Sequence, residues 1–286
     1  MWFLRLTIAG CLAAGLVPPP ASAAPSWSRP ANVSRPEKVV VESLSVIAGS
    51  QGSATAVWQL YGGESGIVKS AVRRAGGSWS APFRLFDDVS DIYASQIAVD
   101  PAGNTTAVWE RHEGHSFVVQ SATRPAGGNW SAPVNLSKLG RFARDAQIAV
   151  DPQGDATAIW ARSNGRNLVV QGAMRPAGGS WSAPVDISAH HGQGGFYPRL
   201  VMDSWGNATA VWKGYDRNRH NLAIQAATRP LGGGWSPPTD VSNRLTRHIG
   251  ISEPQIAVDP QGISTVTWVI GARGGGIIQA ATSARR

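Results

Sequence analysis

Apolar residues in this chain fall in short runs broken by Gly, Pro, Asn and Asp, and nowhere do they return with a helical period. The stretch 145–188 shows the unit. Ala146-Gln147-Ile148-Ala149-Val150 is a β-prone run that stops at Asp151-Pro152-Gln153-Gly154, a turn in which Pro presets φ and Gly accepts a positive φ. Ala156 to Trp160 reads as a second strand, so the two form a hairpin. After Arg162-Ser163-Asn164-Gly165-Arg166 comes a third strand, Leu168 to Ala173; Arg175-Pro176-Ala177-Gly178-Gly179 makes the next turn, and Trp181 to Ile187 is the fourth. Strands this short, punctuated by Gly and Pro, predict an all-β chain. Their apolar positions are consecutive instead of alternating, so both faces of each sheet must be covered. Radial stacking of small sheets does that.

The unit repeats. Trp58, Trp109, Trp160, Trp212 and Trp268 each end an Ala-Val-Trp-like segment, spaced by 51, 51, 52 and 56 residues. Trp79, Trp130, Trp181 and Trp235 each stand before Ser in a Gly-rich Trp-Ser-x-Pro segment, spaced by 51, 51 and 54. A pitch of about 50 residues belongs to propellers, and repeats starting near 43, 94, 145, 197 and 253 predict a five-bladed β-propeller. Trp27-Ser28-Arg29-Pro30-Ala31-Asn32-Val33-Ser34 matches Trp181 to Ser188 but precedes the first full repeat, while the fifth stops at Gln279-Ala280-Ala281-Thr282 without its own Trp-Ser-x-Pro strand. Residues 27–34 are therefore expected to complete the last blade beside Gly276 to Thr282 and close the ring. The two Trp rows are read as packing between blades, each indole burying roughly 150–250 Å².

Val99-Asp100-Pro101-Ala102-Gly103-Asn104-Thr105-Thr106-Ala107-Val108-Trp109 resembles the hairpin of NHL-type propellers and, more loosely, the Asp-box hairpin of sialidase-like propellers. The likeness touches all five repeats but consists of short turn motifs, so what it implies is a secreted bacterial propeller fold. The Asp-box spacing is not met, because Asp100 stands nine residues before Trp109. Repeat one departs further: Gly49-Ser50 replaces Asp-Pro, and Lys69 stands where the others have Gln120, Gln171, Gln225 and Gln279.

The N-terminus adds a compartment. Arg5, the apolar run Leu6 to Val17 and the segment Pro18 to Ala23 have the form of a secretory signal peptide over residues 1–23, cut after Ala23; the domain would span 24–286. The only cysteine, Cys11, leaves with it. Ile8-Ala9-Gly10-Cys11 resembles a lipoprotein box, but too few apolar residues separate Arg5 from Cys11 for that use. No later run is long and apolar enough to cross a bilayer. The formal charge of +8 favours acidic partners or an anionic surface. His190-His191 and His112/His115 lack a carboxylate or thiolate companion at ligand spacing, and the basic residues form no nucleic-acid motif. No metal, cofactor or nucleic acid is expected, and the chain is read as a monomer.

Segment lengths locate a working face. The first turn to the first Trp is nine residues in every repeat, and the Gln/Lys position to the second Trp is ten in each measurable case. Trp212 to Gln225 is 13 where the other repeats have 11, and the connection from the second Trp to the next turn runs from 21 to 24. All length variation thus falls in two connections that emerge on one side of an up-and-down blade, and loops on a rigid scaffold are where sites sit. Tyr215, Arg217 and Arg219 on one expanded loop, with Arg244 and Arg247 on the other, are candidate ligand contacts.

The residues leading into each innermost strand ring the channel mouth: Ser43/Ser45, Ala94/Gln96, Asp145/Gln147, Tyr197/Arg199 and Glu253/Gln255. A sialidase-like site would take Tyr197 and Glu253 as the nucleophile pair, Asp145 as acid/base and Arg199 as a carboxylate clamp, with Arg111 or Arg162 beside it; the Arg-Ile-Pro segment of that family is missing. Three readings follow: a module binding an acidic glycan or cell-envelope polymer on its variable face, a sialidase-like glycoside hydrolase, and a structural or protein-interaction propeller.

Overall fold

A computed structural model describes residues 28–36, 40–49, 52–61, 67–85, 92–188, 194–215, 221–242, 250–272 and 275–284. Residues 33–286 form one compact unit that holds all the strands. The other unit, residues 1–32, is described only at 28–32, where there is no regular structure.

The strands form five antiparallel sheets in chain order. The first holds β1 (Val40–Ala48), β2 (Ala54–Tyr61), β3 (Ile67–Arg73) and β4 (Phe83–Arg84), and the second β5 (Ile92–Val99), β6 (Thr105–Glu113), β7 (Ser116–Arg124) and β8 (Val134–Asn135). The third holds β9 (Ala143–Val150), β10 (Ala156–Ser163), β11 (Leu168–Arg175) and β12 (Val185–Asp186). The fourth holds β13 (Phe196–Met202), β14 (Ala208–Tyr215), β15 (Leu222–Arg229) and β16 (Thr239–Asp240). In the fifth, β17 (Gly250–Ile251) and β18 (Gln255–Val258) share one side of β19 (Ser264–Ala272), and β20 (Gly275–Thr282) pairs its other side. The all-β reading and the hairpin order hold, and no α-helix occurs among the described residues.

The first strands of successive sheets run side by side, β1 with β5, β5 with β9, β9 with β13 and β13 with β18. Between the sheets lie the tryptophans. Trp109 is buried with Val57, Val68 and Leu85 of the first sheet, Trp160 with Val108, Val119 and Leu136 of the second, Trp212 with Ile159, Val170 and Ile187 of the third, and Trp268 with Val211 and Ile224 of the fourth. In the second, fourth and fifth sheets the indole N–H donates to the glutamine opposite it, Gln120, Gln225 or Gln279, at 3.0–3.1 Å. This explains why Gln recurs at that position. Arg175 and Arg229 cross between sheets to the Thr106 and Thr157 hydroxyls, each at 2.8 Å.

The fourth strands are shorter than the sequence predicts. In place of Trp181 to Ile187, only Val185–Asp186 pairs. The reason is chemical: Pro184 has no N–H to give, and the segment is clipped on by serines instead. Ser182 donates its N–H to the Met174 carbonyl and accepts the Met174 N–H on Oγ, and Ser188 accepts the Val170 N–H on Oγ at 2.8 Å. The same two clips recur with Ser131/Ser137 and Ser236/Ser242. Residues 28–34 pair with no strand, and β20 pairs only with β19, so the strand expected at 27–34 is not formed here; Trp27 itself lies outside the described residues.

Candidate functional site

The innermost strands are not regular. Opposite Trp160, β9 carries two residues, Asp145 and Ala146, where β10 has one, between its pairs Arg144↔Ala161 and Gln147↔Ile159. Opposite Trp212, β13 does the same with Tyr197 and Pro198, between Phe196↔Lys213 and Arg199↔Val211. Such bulges re-aim side chains. Asp145 and Tyr197 are also the only non-glycine residues with positive φ among those described, at 59° and 53°. For a bulky residue that conformation is strained and marks a place where function is to be sought. In the fifth sheet the corresponding place is the break between β17 and β18, occupied by Ser252-Glu253-Pro254.

The innermost strands of four sheets meet at this height. A cavity of about 460 Å³ is lined by Gln96, Asp145, Gln147, Arg199 and Gln255, with Leu200 and Ile256 at its apolar edge. Arg199 Nη2 donates to Glu253 Oε2 at 3.0 Å. The Arg144 guanidinium lies 5.8 Å from the Tyr197 ring centre and 5.3 Å from that of Phe142, within cation–π range of both, and its Nε is 3.5 Å from Asp145 Oδ2. Asp145, Tyr197, Arg199 and Glu253, singled out in the sequence by position alone, are thus neighbours.

Burial raises the Asp145 carboxyl above its ordinary range; the Arg144 charge opposes this, and Glu253 adds to it. The larger effect is at a residue the sequence did not flag. Glu110 follows Trp109 directly, is buried, and accepts the backbone N–H of Asp145 at 2.5 Å and of Ala146 at 3.4 Å. Burial, then the Asp145 charge, push it up to about 7. The available signal was that an acid stands where the other repeats have Gln59, Ala161, Lys213 and Val269.

The other sequence candidates fare differently. Arg217, Arg219, Arg244 and Arg247 lie outside the described residues. Tyr215 does not line the cavity: its ring packs edge-on against Phe196 with centres 6.1 Å apart. Arg111 is held by Glu113 at 2.7 Å and is not part of the cluster. Among the described residues no group of three His, Cys, Asp or Glu side chains is placed to hold a metal ion.

No protein-family model matches the chain, and no curated protein matches it in sequence. Solved structures do. An ulvan lyase of polysaccharide lyase family PL25 superposes with a TM-score of 0.59 at 11% identity, over 84% of this chain and 66% of that one. The polysaccharide lyase Uly1 gives 0.52 at 12%, over 85% and 57%, and the α-L-arabinanase of Penicillium chrysogenum, solved with arabinobiose, 0.51 at 11%, over 83% and 80%. The chain shares its fold with these propeller proteins. It spans less than two thirds of the length of the two lyases.

Proposed function

We propose that the chain is an exported five-bladed β-propeller, its signal peptide cut near Ala23, that binds an acidic polysaccharide at the cavity between β5, β9, β13 and β18. The observation that carries this reading is the meeting of Asp145, Tyr197, Arg199 and Glu253 from three sheets, two of them in strained backbone. Arg199 and Arg144 offer cationic contacts for a carboxylate or sulfate. The three glutamine amides both donate and accept, as sugar hydroxyls require. Support also comes from the fold's company: one PL25 ulvan lyase structure is bound to -[GlcA(1-4)Rha3S]-, an acidic saccharide. Titration calorimetry with uronate-containing and with neutral oligosaccharides tests it. Binding restricted to the acidic set, and weakened by salt as screened charges require, supports the reading; equal or absent binding leaves the structural alternative.

A hydrolytic reading has one observation in its favour. Asp145 is inclined to keep its proton, and a second carboxyl, Glu253, is paired with a guanidinium nearby; two carboxyls in unlike surroundings are what a glycosidase needs. The sialidase-like alternative belongs here. Release of reducing ends from sialosides or uronides, abolished in Asp145→Asn, would replace binding by catalysis as the function.

Ring closure completes the reading. Val33 packs on the cluster of Trp58, Leu60 and Ala71, as Leu85, six residues after its own Trp, packs on Trp109. The segment from Trp27 is therefore read as the fourth strand of the blade that precedes the first, which in a ring of five is the fifth.

A further inference from the structure

We propose that Glu110 is a positioning residue of this site: by accepting the N–H groups of Asp145 and Ala146 across two sheets, it holds Asp145 in the left-handed conformation that faces the cavity, and it couples the charge of the site to pH. The inference rests on the reading of that cavity as a ligand site. Its geometric part stands without it.

The residue after the second-strand tryptophan reaches the innermost strand of the next sheet in two cases. Gln59 donates its side-chain N–H to the Ile92 carbonyl at the head of β5. Glu110 accepts from the bulge itself, at the residue with φ of 59°. Ala161 and Lys213 stand at that position in the next two sheets, so the fold does not demand an acid there. A glutamine would accept the same two N–H groups without the cost of burying a charge. What the acid adds is a titratable charge beside the cavity.

The charged groups acting on Glu110 are Asp145, which disfavours its ionisation, and Arg144, which favours it, both on β9. On its own strand Arg111 is turned to Glu113, and the residue across on β5 is Tyr93. With Glu110 titrating at about 7, the site carries one negative charge fewer on the acid side of neutrality. An anionic saccharide should then bind more tightly as pH falls from 8 to 6, since like charge beside it is removed.

The test uses the protein from residue 24 onward, with three forms: the parent, Glu110→Gln and Glu110→Leu. Hydrogen exchange by mass spectrometry reads the amides of 143–147, and calorimetry with a uronate oligosaccharide reads affinity at pH 6, 7 and 8. The parent should lose affinity several-fold between pH 6 and 8, while Glu110→Gln keeps the slow exchange and binds with no pH step. Glu110→Leu should exchange faster at Asp145 and Ala146 and bind at least tenfold more weakly. A pH step that survives in Glu110→Gln overturns the charge coupling, and unchanged exchange in a folded Glu110→Leu overturns the positioning role. If Glu110→Leu does not fold, Glu110→Gln alone decides. Should no acidic saccharide bind the parent while the exchange pattern holds, the positioning role stands and the ligand reading falls.

Discussion

Arg199 and Glu253, 54 residues apart in sequence, meet at 3.0 Å between the fourth and fifth sheets. Both side chains remain partly in solvent, where an ion pair contributes little to stability. The pair instead fixes the direction of a guanidinium that lines the cavity. Arg199→Ala should therefore weaken binding of a uronate oligosaccharide by tenfold or more and shift the melting temperature by no more than a degree or two. Glu253→Gln, which frees the guanidinium, should tighten it. Calorimetry with parallel melts checks both, and an Arg199→Ala variant that binds as the parent does would remove this cavity from consideration.

Glu110 gives a stability signature independent of any ligand. Its carboxyl is raised from 4.5 to about 7 in the folded chain, so between those values the folded protein holds a proton that the unfolded one has released. The stability contributed by this group is fully present below about 4.5 and is lost as pH rises through 7. Glu110→Gln has no such group. Its advantage over the parent should grow from pH 5 to pH 8, toward a ceiling on the order of 3 kcal/mol. Chemical denaturation across that range measures it, and a constant gap would mean the carboxyl titrates normally.

The proposed closure has a test in the pattern of exposure. Val68, Val119, Val170 and Ile224, each one residue before the Gln/Lys position, are all 0% exposed, whereas Ile278 is 76% exposed. Across from them Ile97, Ile148, Leu200 and Ile256 sit in the same clusters, while their counterpart Val46 is 64% exposed. If the ring closes as proposed, the pattern of the four internal interfaces sets Ile278 against Val46. A Val46→Cys/Ile278→Cys variant of the protein from residue 24 onward, which has no other cysteine, should then cross-link on oxidation or with a short thiol reagent, at monomer mobility. A dimer would mean that the faces mate between copies, and no product would mean that they do not mate. If residues 27–34 cover the β20 edge as proposed, deleting residues 24–36 should bare it and cause aggregation, because an unpaired strand templates association.

Gln120 joins the Trp109 indole to Asn135 on the outermost strand, at 3.1 and 2.7 Å. Gln120→Leu removes the acceptor that the buried indole N–H uses. A loss of about 1–3 kcal/mol is expected from stranding a buried donor, measurable by urea denaturation. An unchanged midpoint would show that the indole finds an equal partner elsewhere.

The repeat made much of this legible. Trp spacing, Asp-Pro-x-Gly turns and consecutive apolar strands are local signals, and they gave the sheets and the inter-sheet place of Trp109, Trp160, Trp212 and Trp268. Alignment on the innermost strand also placed Asp145, Tyr197, Arg199 and Glu253 at one height, because equal position in a repeat means equal position in space. Glu110 escaped notice because its partner is the backbone of another sheet, and backbone N–H groups have no letter in a sequence. The fourth strands were overextended because a Trp-Ser-x-Pro segment has β-like composition, while Pro and the serine clips decide against ladder pairing. Loop length drew attention to Tyr215, whose ring turned out to serve Phe196.

The bulge opposite the second-strand tryptophan separates two jobs within one strand. Downstream of it, Ile148 and Leu200 lock neighbouring sheets; at it, Asp145 lines the cavity. The third and fourth sheets therefore each carry a socket at this point, filled by Asp145 and Tyr197. The recognition chemistry of this scaffold can be rewritten at those sockets without re-solving its folding problem.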